Sequence, residues 1–401
     1  MKNISNKTSF WIVAWVLTIS LWSSTASSIE FPVYAAQWHL AKSVTTGIFS
    51  ISPAVLILVL LLLGNISDYI GRKSTLIIGL VFLLIGALVF ANAPSTIWLF
   101  IGRALQGIGV GLTAGSGAAA LVEFNPTSNK KLPGSINTIT QAVGLFLATI
   151  IGAALIKYAP APLYLSYRVL AALVFLSIIL CLFLPHKKVL KAGGWKVQGV
   201  KVPPGLWGVY ILAALAVATG FANGAVFLSL GAQIARDVVG TKDILVIGTV
   251  LSISYLLAAV SATISGRLEP VTAIRSGMSL IILTMVLLIV SAEFHSFFLF
   301  ILSAILGGLA YGFSAAGGIG LAAISSPAEY RVQFLSAVFV ISYFFQGSSG
   351  YGGGILTTAY GFSSAIWIMA IIVATIALIT LMVSLKKRRA ALPIPAVLKN
   401  S

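Results

Sequence analysis

Two ionisable side chains, Glu30 and Arg103, lie inside long apolar segments of the sequence. Charged groups in such segments are costly and usually functional. At 1.5 Å per helical residue, Arg103 is expected about 10 Å deep and Glu30 about 6–8 Å deep. A carboxylate that can take a proton or pair with an arginine is what proton coupling requires. The alternative for Glu30 is a side chain that reaches the nearby membrane interface with no further role.

A second group of polar and aromatic side chains lies at mid-depth in the apolar segments. Such residues either line a binding site or tie helices together. As a group they describe a cavity with few charges, which favours a neutral, weakly cationic or amphipathic solute over a phosphorylated one that needs an arginine cluster. The predicted cavity residues are Trp22, Ser24, Asn137, Gln141, Asn223, Tyr255, Tyr311, Tyr343 and Gln346.

Residues that could perform covalent chemistry are scarce. The three histidines, His39, His186 and His295, fall in loops with no serine, cysteine or metal-ligand partner at a useful spacing. Cys181 is the single cysteine, which excludes a disulfide framework and a thiolate metal site. We therefore predict no catalytic residue, no metal site and no cofactor, and the protein is not expected to be an enzyme.

The composition identifies the elements that must position these residues. The 401-residue chain is 59% hydrophobic and 8% charged, whereas about a quarter of a soluble domain is charged. Apolar runs of about 20 residues predict membrane-spanning helices, and barrel strands are shorter and alternate in polarity. The fold class predicted is an all-α membrane protein with twelve transmembrane helices. The runs are 10–35, 43–63, 75–94, 97–121, 134–156, 163–185, 206–231, 244–265, 273–292, 297–323, 333–357 and 362–385.

The net charge of +17 reflects membrane topology rather than nucleic-acid binding. With a cytoplasmic amino terminus, 19 of the 25 lysines and arginines fall in the terminal segments and the loops on that side. This is the positive-inside pattern. Both termini are therefore expected in the cytoplasm, with the lipid bilayer as a partner and no nucleic acid.

The long polar stretch 186–205 divides the chain into two halves. A shift of 201 residues aligns "QGIGVGLTAGSGAAA" with "GGLAYGFSAAGGIGL", and it places Asp68 on Glu269 and Pro126 on Pro327. Two pseudo-repeated six-helix halves are typical of transporters that rock about a central site. We predict an N-terminal half over 1–185, a cytoplasmic central loop over 186–205, a C-terminal half over 206–389 and a cytoplasmic tail over 390–401.

Two motifs support a family resemblance. The loop "GNISDYIGRK" resembles the signature G-x-L-A-D-R-x-G-R-K/R of the major facilitator superfamily, with Tyr69 in place of an arginine. "GRALQGIG" resembles the fourth-helix pattern R-x-x-Q-G-x-G of that family. The matching residues are Gly64, Asp68, Gly71, Arg72 and Lys73 in the loop, and Arg103, Gln106, Gly107 and Gly109 in the fourth helix.

This resemblance implies roles for the matching residues. Gly64, Asp68, Gly71, Arg72 and Lys73 would form a conformational latch between the two halves, with Arg72 reaching Glu123. Asp68 is expected to face the dipole at the start of helix eleven, around residues 326–333. The alternative is that Arg72 and Lys73 only anchor the topology.

The resemblance also places helices one and four beside a central cavity. Glu30 and Arg103 could therefore pair, and Gln106 joins them in the predicted proton-coupling site. The family expectation is a monomer whose partners are protons and a small-molecule substrate. A bacterial inner membrane is the expected location.

Transport direction is open at the sequence level. The resemblance favours the drug/metabolite:proton antiporter branch, although its helix-five signature is degenerate: Gly144 and Gly152 fit, whereas Thr149 replaces the proline. Proton-coupled import of a small organic solute is the alternative, because the same rocking machine runs either way. A transport-dead membrane sensor is a third possibility, which the intact motifs disfavour.

Overall fold

The computed structural model describes residues 4–128, 132–185, 202, 204–238, 240, 243–327 and 330–389, and these contain helices and no strand. Each predicted apolar run becomes one long helix. The helices are α1 Asn6–Trp38, α2 Lys42–Leu63, α3 Arg72–Ala91, α4 Thr96–Glu123, α5 Leu132–Tyr158, α6 Pro162–Leu182, α7 Trp207–Gln233, α8 Ile244–Ser265, α9 Pro270–Glu293, α10 Phe297–Ser325, α11 Arg331–Tyr360 and α12 Phe362–Arg389. One helical turn, Ser67–Ile70, precedes α3, and a π-helical turn, Ile234–Val238, follows α7.

The length of α1 differs from the prediction. The helix continues to Trp38, where His39 ends it in the left-handed conformation (φ 52°) and donates its N–H to the carbonyl of Ala35. Glu30 therefore lies eight residues from the helix end, about 12 Å at 1.5 Å per residue. This is farther than the four or five residues expected, because the polar and aromatic residues after Phe31 continue the helix. The depth of Glu30 in the membrane stays a prediction.

Eleven of the described helices are long and apolar enough to cross a membrane. The "GSSGYGGG" segment, residues 347–354, gives α11 a stretch that is rich in glycine and serine.

Helix packing repeats between the halves. In the first half α1 packs on α5, α2 on α4, α3 on α4 and α3 on α6, and the corresponding pairs α7–α11, α8–α10, α9–α10 and α9–α12 form in the second half. The large hydrophobic clusters follow this division, one mainly over residues 10–184 and the other mainly over 209–377. The main contacts between halves are α2 with α11 and α5 with α8.

The repeated glycines explain how two of these pairs approach so closely. A Cβ at Gly107 of α4 would lie 2.6 Å from the carbonyl oxygen of Ser52 in α2. At the equivalent Gly308 of α10, it would lie 2.0 Å from the carbonyl oxygen of Ser254 in α8. Both distances are shorter than any side chain allows, so these contacts require glycine.

Basic residues near the starts of α3 and α9 also make equivalent contacts, since each donates hydrogen bonds near the C-terminal end of another helix. Lys73 donates to the carbonyls of Leu182 (2.6 Å) and Leu184 (2.9 Å) at the end of α6. Arg275 donates to the carbonyl (2.6 Å) and hydroxyl (3.2 Å) of Ser384 near the end of α12. Cations are favourable at helix C-termini, where carbonyls lack helical partners.

Candidate functional site

A cavity lies between the two halves and is lined by residues from both. The space free of atoms among these residues, including its opening to solvent, is about 850 Å³. Seven of the nine predicted cavity residues lie in its wall: Ser24, Gln141, Asn223, Tyr255, Tyr311, Tyr343 and Gln346.

Trp22 and Asn137 are not part of this wall. The residues of α1 that line it are Leu21, Ser24, Thr25 and Ser28, which share one face at helical spacing. Trp22 points elsewhere and belongs to the first-half core, with 8% of its surface exposed. Asn137 precedes Gln141 by one turn and lies beyond the wall, because α5 lines the cavity through Gln141 and Leu145.

Several lining residues were missed from the sequence. Ser28, Ser52 and Ser254 line the cavity, as do Phe221 and Phe227. For Ser28 the signal was available, because it is one turn beyond Ser24 on the same helix face. Isolated serines and phenylalanines in the other apolar segments carry no such signal.

Aromatic rings form one side of the cavity. Phe221 of α7 stacks on Tyr311 of α10 with ring centroids 5.7 Å apart and an interplanar angle of 15°. Tyr343 of α11 meets Phe221 edge to face at 5.2 Å. The flat face of a partly apolar solute can pack against such rings, since they combine a large apolar surface with polar edges.

Two buried polar atoms on this side have no hydrogen-bond partner. The amide nitrogen of Asn223 donates to the carbonyl of Gly307 at 3.1 Å, whereas its Oδ1 has no partner. The hydroxyl of Tyr255 is also without one. Buried polar groups are normally satisfied, so these atoms are candidates for contact with a solute.

Arg103 is buried and fully engaged with the protein. Its guanidinium donates to the carbonyls of Ser24 (2.5 Å), Ile48 (3.4 Å) and Phe49 (3.0 Å). It also donates to Oε1 of Gln106 at 3.0 Å. Although Arg103 lies at the cavity wall, it is held there by neutral oxygens.

Glu30 does not form the expected pair with Arg103. Its side chain is fully buried, and neither carboxylate oxygen has a hydrogen-bond partner. The hydroxyls of Tyr167 and Ser166 in α6 face this carboxylate without hydrogen bonds of ordinary geometry. Tyr167 neighbours both Glu30 and Arg103, and it stacks on Phe90 with centroids 4.6 Å apart.

The motif loop forms a charged cluster in the first half. Nη2 of Arg72 lies 2.7 Å from Oδ1 of Asp68, and Nε lies 3.9 Å from Oε2 of Glu123. Arg72 also donates to the hydroxyl of Ser67. Gly71 has a φ of 88°, which favours glycine, and Gly64 is the C-cap of α2.

Among the described side chains, which do not include those of residues 331 and 332 at the start of α11, no ion pair joins this cluster to α11. Tyr330 is the N-cap of α11 and provides no side-chain cap, while Asp68 is paired with Arg72. Residues 328 and 329 lie outside the described residues. The latch between the halves therefore stays a prediction.

Comparison with known proteins adds the family. The model of the Major Facilitator Superfamily matches residues 12–291. "Sugar transporter ERD6-like 6" of Arabidopsis thaliana is 33% identical over 110 residues, 27% of this chain and 20% of that protein. "Myo-inositol transporter 1A" of Cryptococcus neoformans is 32% identical over 89 residues, 22% of this chain and 16% of that protein. "MFS efflux transporter aclA" of Aspergillus oryzae is 27% identical over 129 residues, 32% of this chain and 23% of that protein.

These matches with curated relatives are partial, since they span about a fifth of each relative's length. The fold match is more extensive. A crystal structure of a POT family transporter in complex with 5-aminolevulinic acid has a TM-score of 0.75 at 15% identity, covering 95% of this chain and 96% of that one. With its apolar helices, repeated halves and a family match over residues 12–291, this chain is a multi-pass integral membrane protein that belongs to the Major Facilitator Superfamily.

Proposed function

We propose that the protein is a secondary transporter that moves a small, neutral, hydroxyl-rich solute across the membrane by alternating access to the cavity. The observation that carries this proposal is the cavity itself, which both six-helix halves line. A site at such an interface can open to either side when the halves rock against each other.

The chemistry of the lining supports the solute class. Amide and hydroxyl groups from Gln141, Asn223, Tyr255 and Gln346 surround the space. Amides and hydroxyls can both donate hydrogen bonds to a neutral solute and accept them from it. Relatives with similar segments are named for sugars, myo-inositol and polyols, which are ring or chain compounds with many hydroxyls.

Proton coupling is the second part of the proposal, with Glu30 as the residue that takes up the proton. A buried carboxylate without a charged partner is costly when ionised. Its protonation state is therefore tied strongly to its surroundings, which change between the two access states. Since Glu30 is absent from the cavity wall, we place its link to the solute in the neighbouring Tyr167 and Arg103 rather than in direct competition.

Export of a drug or metabolite is the second candidate function. The similarity to a protein named as an efflux transporter favours it. The same cavity serves either direction, because the gradients decide the net flux.

The test uses purified protein in vesicles that contain a pH-sensitive dye. Under an imposed proton gradient, polyols, monosaccharides, neutral antibiotics, lipophilic cations and carboxylates are added separately. We expect polyols or monosaccharides to trigger proton flux. Glu30→Gln should abolish this flux, whereas Glu269→Gln, an exposed glutamate at the start of α9, should retain it.

Other outcomes would contradict parts of the proposal. Flux triggered only by antibiotics or lipophilic cations would favour the export candidate. Flux that survives Glu30→Gln would remove this residue from the coupling. Binding and flux absent for every class, with folded protein, would contradict the transport proposal.

A further inference from the structure

Pro53 lies inside α2 and leaves one backbone carbonyl without its helical donor. In an α-helix the N–H of residue 53 would donate to the carbonyl of Phe49, and proline has no N–H. In an apolar environment an unsatisfied carbonyl costs free energy, and transmembrane helices tolerate proline where a neighbour satisfies the freed group.

Arg103 of α4 is that neighbour. Its Nη2 donates to the carbonyl oxygen of Phe49 at 3.0 Å, and its Nε lies 3.4 Å from the carbonyl oxygen of Ile48. Its guanidinium carbon is 5.7 Å from the centre of the Phe49 ring. With 1% of its surface exposed, the arginine replaces water as the donor for this turn.

The other arm of the guanidinium holds the arginine in place. Nη1 donates to the carbonyl oxygen of Ser24 in α1 at 2.5 Å and to Oε1 of Gln106 at 3.0 Å. The side chain therefore joins α1, α2 and α4 through a planar set of donors, a geometry that lysine cannot reproduce.

The same turn of α2 is the one that meets the second half. The hydroxyl of Ser50 donates to the carbonyl of Gly347 in α11 at 2.9 Å. A Cβ at Gly347 would lie 3.4 Å from Cγ of Pro53, and one at Gly350 would lie 2.6 Å from the Phe49 ring. The segment 49–53 thus carries the proline, the arginine contact and the contact with α11.

We propose that Arg103 is a positioning residue that supplies the hydrogen-bond donor missing at Pro53 and so fixes the course of α2 along its seam with α11. This goes beyond a role in proton coupling, and it rests on the proposed function only in that the seam must rearrange during alternating access. Loss of Arg103 changes the α2–α11 contact because the Phe49 carbonyl has to find another donor.

A double-mutant cycle tests the proposal without any transport measurement. Pro53→Ala restores the helical N–H, so it removes part of the need for Arg103. Arg103→Gln should increase the apparent unfolding equilibrium constant, measured in detergent, in both backgrounds. We expect the factor of increase to be about ten times smaller in the Pro53→Ala background than in the native one. Equal effects in both backgrounds would overturn the proposal.

Pro270→Ala is the matched control. Pro270 is in the first turn of α9, where the missing N–H frees no helical carbonyl. The effect of Arg103→Gln should be the same with and without Pro270→Ala.

If Arg103→Gln alone fails to fold, folding of the double variant with Pro53→Ala supports the proposal. If both variants fail to fold, the same cycle is measured with Arg103→Lys in place of Arg103→Gln. A smaller effect of Arg103→Lys in the Pro53→Ala background supports the proposal, and an equal effect in both backgrounds overturns it.

A second readout reports on the seam itself. In a Cys181→Ser background, alkylation of Ser50→Cys by a membrane-permeant maleimide measures access to the α2–α11 contact. We expect Arg103→Gln to accelerate this labelling several-fold and Pro53→Ala to reverse most of the increase. Unchanged labelling would show that Arg103 does not position α2. Because neither readout uses a solute, failure here is distinguishable from failure of the transport proposal.

Discussion

Arg103 and Glu30 are both buried, yet their surroundings differ. The guanidinium has five donors and contacts carbonyls of α1 and α2 as well as Gln106. The carboxylate of Glu30 has no partner. A buried polar group that is satisfied stabilises one geometry, whereas an unsatisfied one favours a change of protonation or of partner. These surroundings support the two proposals made above, positioning for Arg103 and proton uptake for Glu30.

Tyr255→Phe removes a single cavity hydroxyl that has no protein partner. Because nothing in the protein loses a hydrogen bond, we expect thermal stability to be unchanged or slightly higher. Solute affinity should fall about tenfold if the hydroxyl bonds the solute, which corresponds to one hydrogen bond of about 1.4 kcal/mol. Solute binding and melting temperature are measured on the same samples.

Tyr351→Phe is the control, because Tyr351 of α11 lies outside the cavity wall and is 46% exposed. It should leave affinity unchanged. Equal affinity in the native protein and Tyr255→Phe would exclude this hydroxyl from recognition.

At the scale of elements, the seam between α5 and α8 ends in an ion pair. Nζ of Lys157 lies 2.6 Å from Oδ2 of Asp243, and Oδ1 of Asp243 accepts from the N–H of Leu245 at 2.9 Å as the N-cap of α8. Asp243 therefore serves two structures at once, the start of a helix and a contact between the halves.

Asp243→Asn separates these two roles. Asparagine retains the cap but not the charge, so α8 should stay intact while the ends of α5 and α8 move apart. Spin labels at Tyr158→Cys and Val246→Cys, in a Cys181→Ser background, measure this separation. We expect a longer distance distribution for Asp243→Asn and for Lys157→Gln, and the native distribution unchanged would contradict the prediction.

Acid should act in the same direction as Asp243→Asn. The hydrogen bond from Lys157, with that from the Leu245 N–H, lowers the pKa of Asp243 below its ordinary value. A carboxyl with a lowered pKa stabilises the folded contact above its ordinary pKa of about 3.9 and loses this contribution as the pH falls through the lowered value. High salt should weaken the pair at neutral pH, because both side chains are partly exposed.

Gly308→Ala tests the close approach of α8 and α10. The added methyl group would lie 2.0 Å from a backbone oxygen, so the helices must separate, at a cost of about 1–3 kcal/mol or more. Gly352→Ala is the matched control, since a Cβ there meets nothing within 4 Å. The yield of monodisperse protein and its melting temperature should fall for Gly308→Ala alone. Equal values for the two variants would show that α8 and α10 tolerate a wider spacing.

On the scale of the whole molecule, the helices and their division into halves could be predicted from the sequence. Runs of about 20 apolar residues are a requirement of the bilayer rather than of tertiary packing, and the glycines at 107 and 308 mark equivalent contacts. Seven of the nine predicted cavity residues lie in the wall, because polar residues at mid-depth are few, whereas most of the other lining residues are apolar or small and gave no signal in the sequence.

The contacts between particular side chains could not be predicted from the sequence in the same way. Trp22 and Ser24 are two residues apart, and only the rotation of α1 decides which of them faces the cavity. The pairing expected for Glu30 and Arg103 was wrong for a related reason, since backbone carbonyls near Pro53 compete for the arginine. Backbone acceptors are invisible to a search for opposite charges.

The glycine-rich stretch of α11 also bears on the order in which the helices assemble in the bilayer. Helix association in lipid depends on close packing at small residues. The glycines of residues 347–354 allow such packing against α2, since a Cβ at Gly350 would lie 2.6 Å from the Phe49 ring. Because α2 is made before α11, we expect the second half to complete its packing against a first half that is already in the bilayer, although each half has its own hydrophobic core.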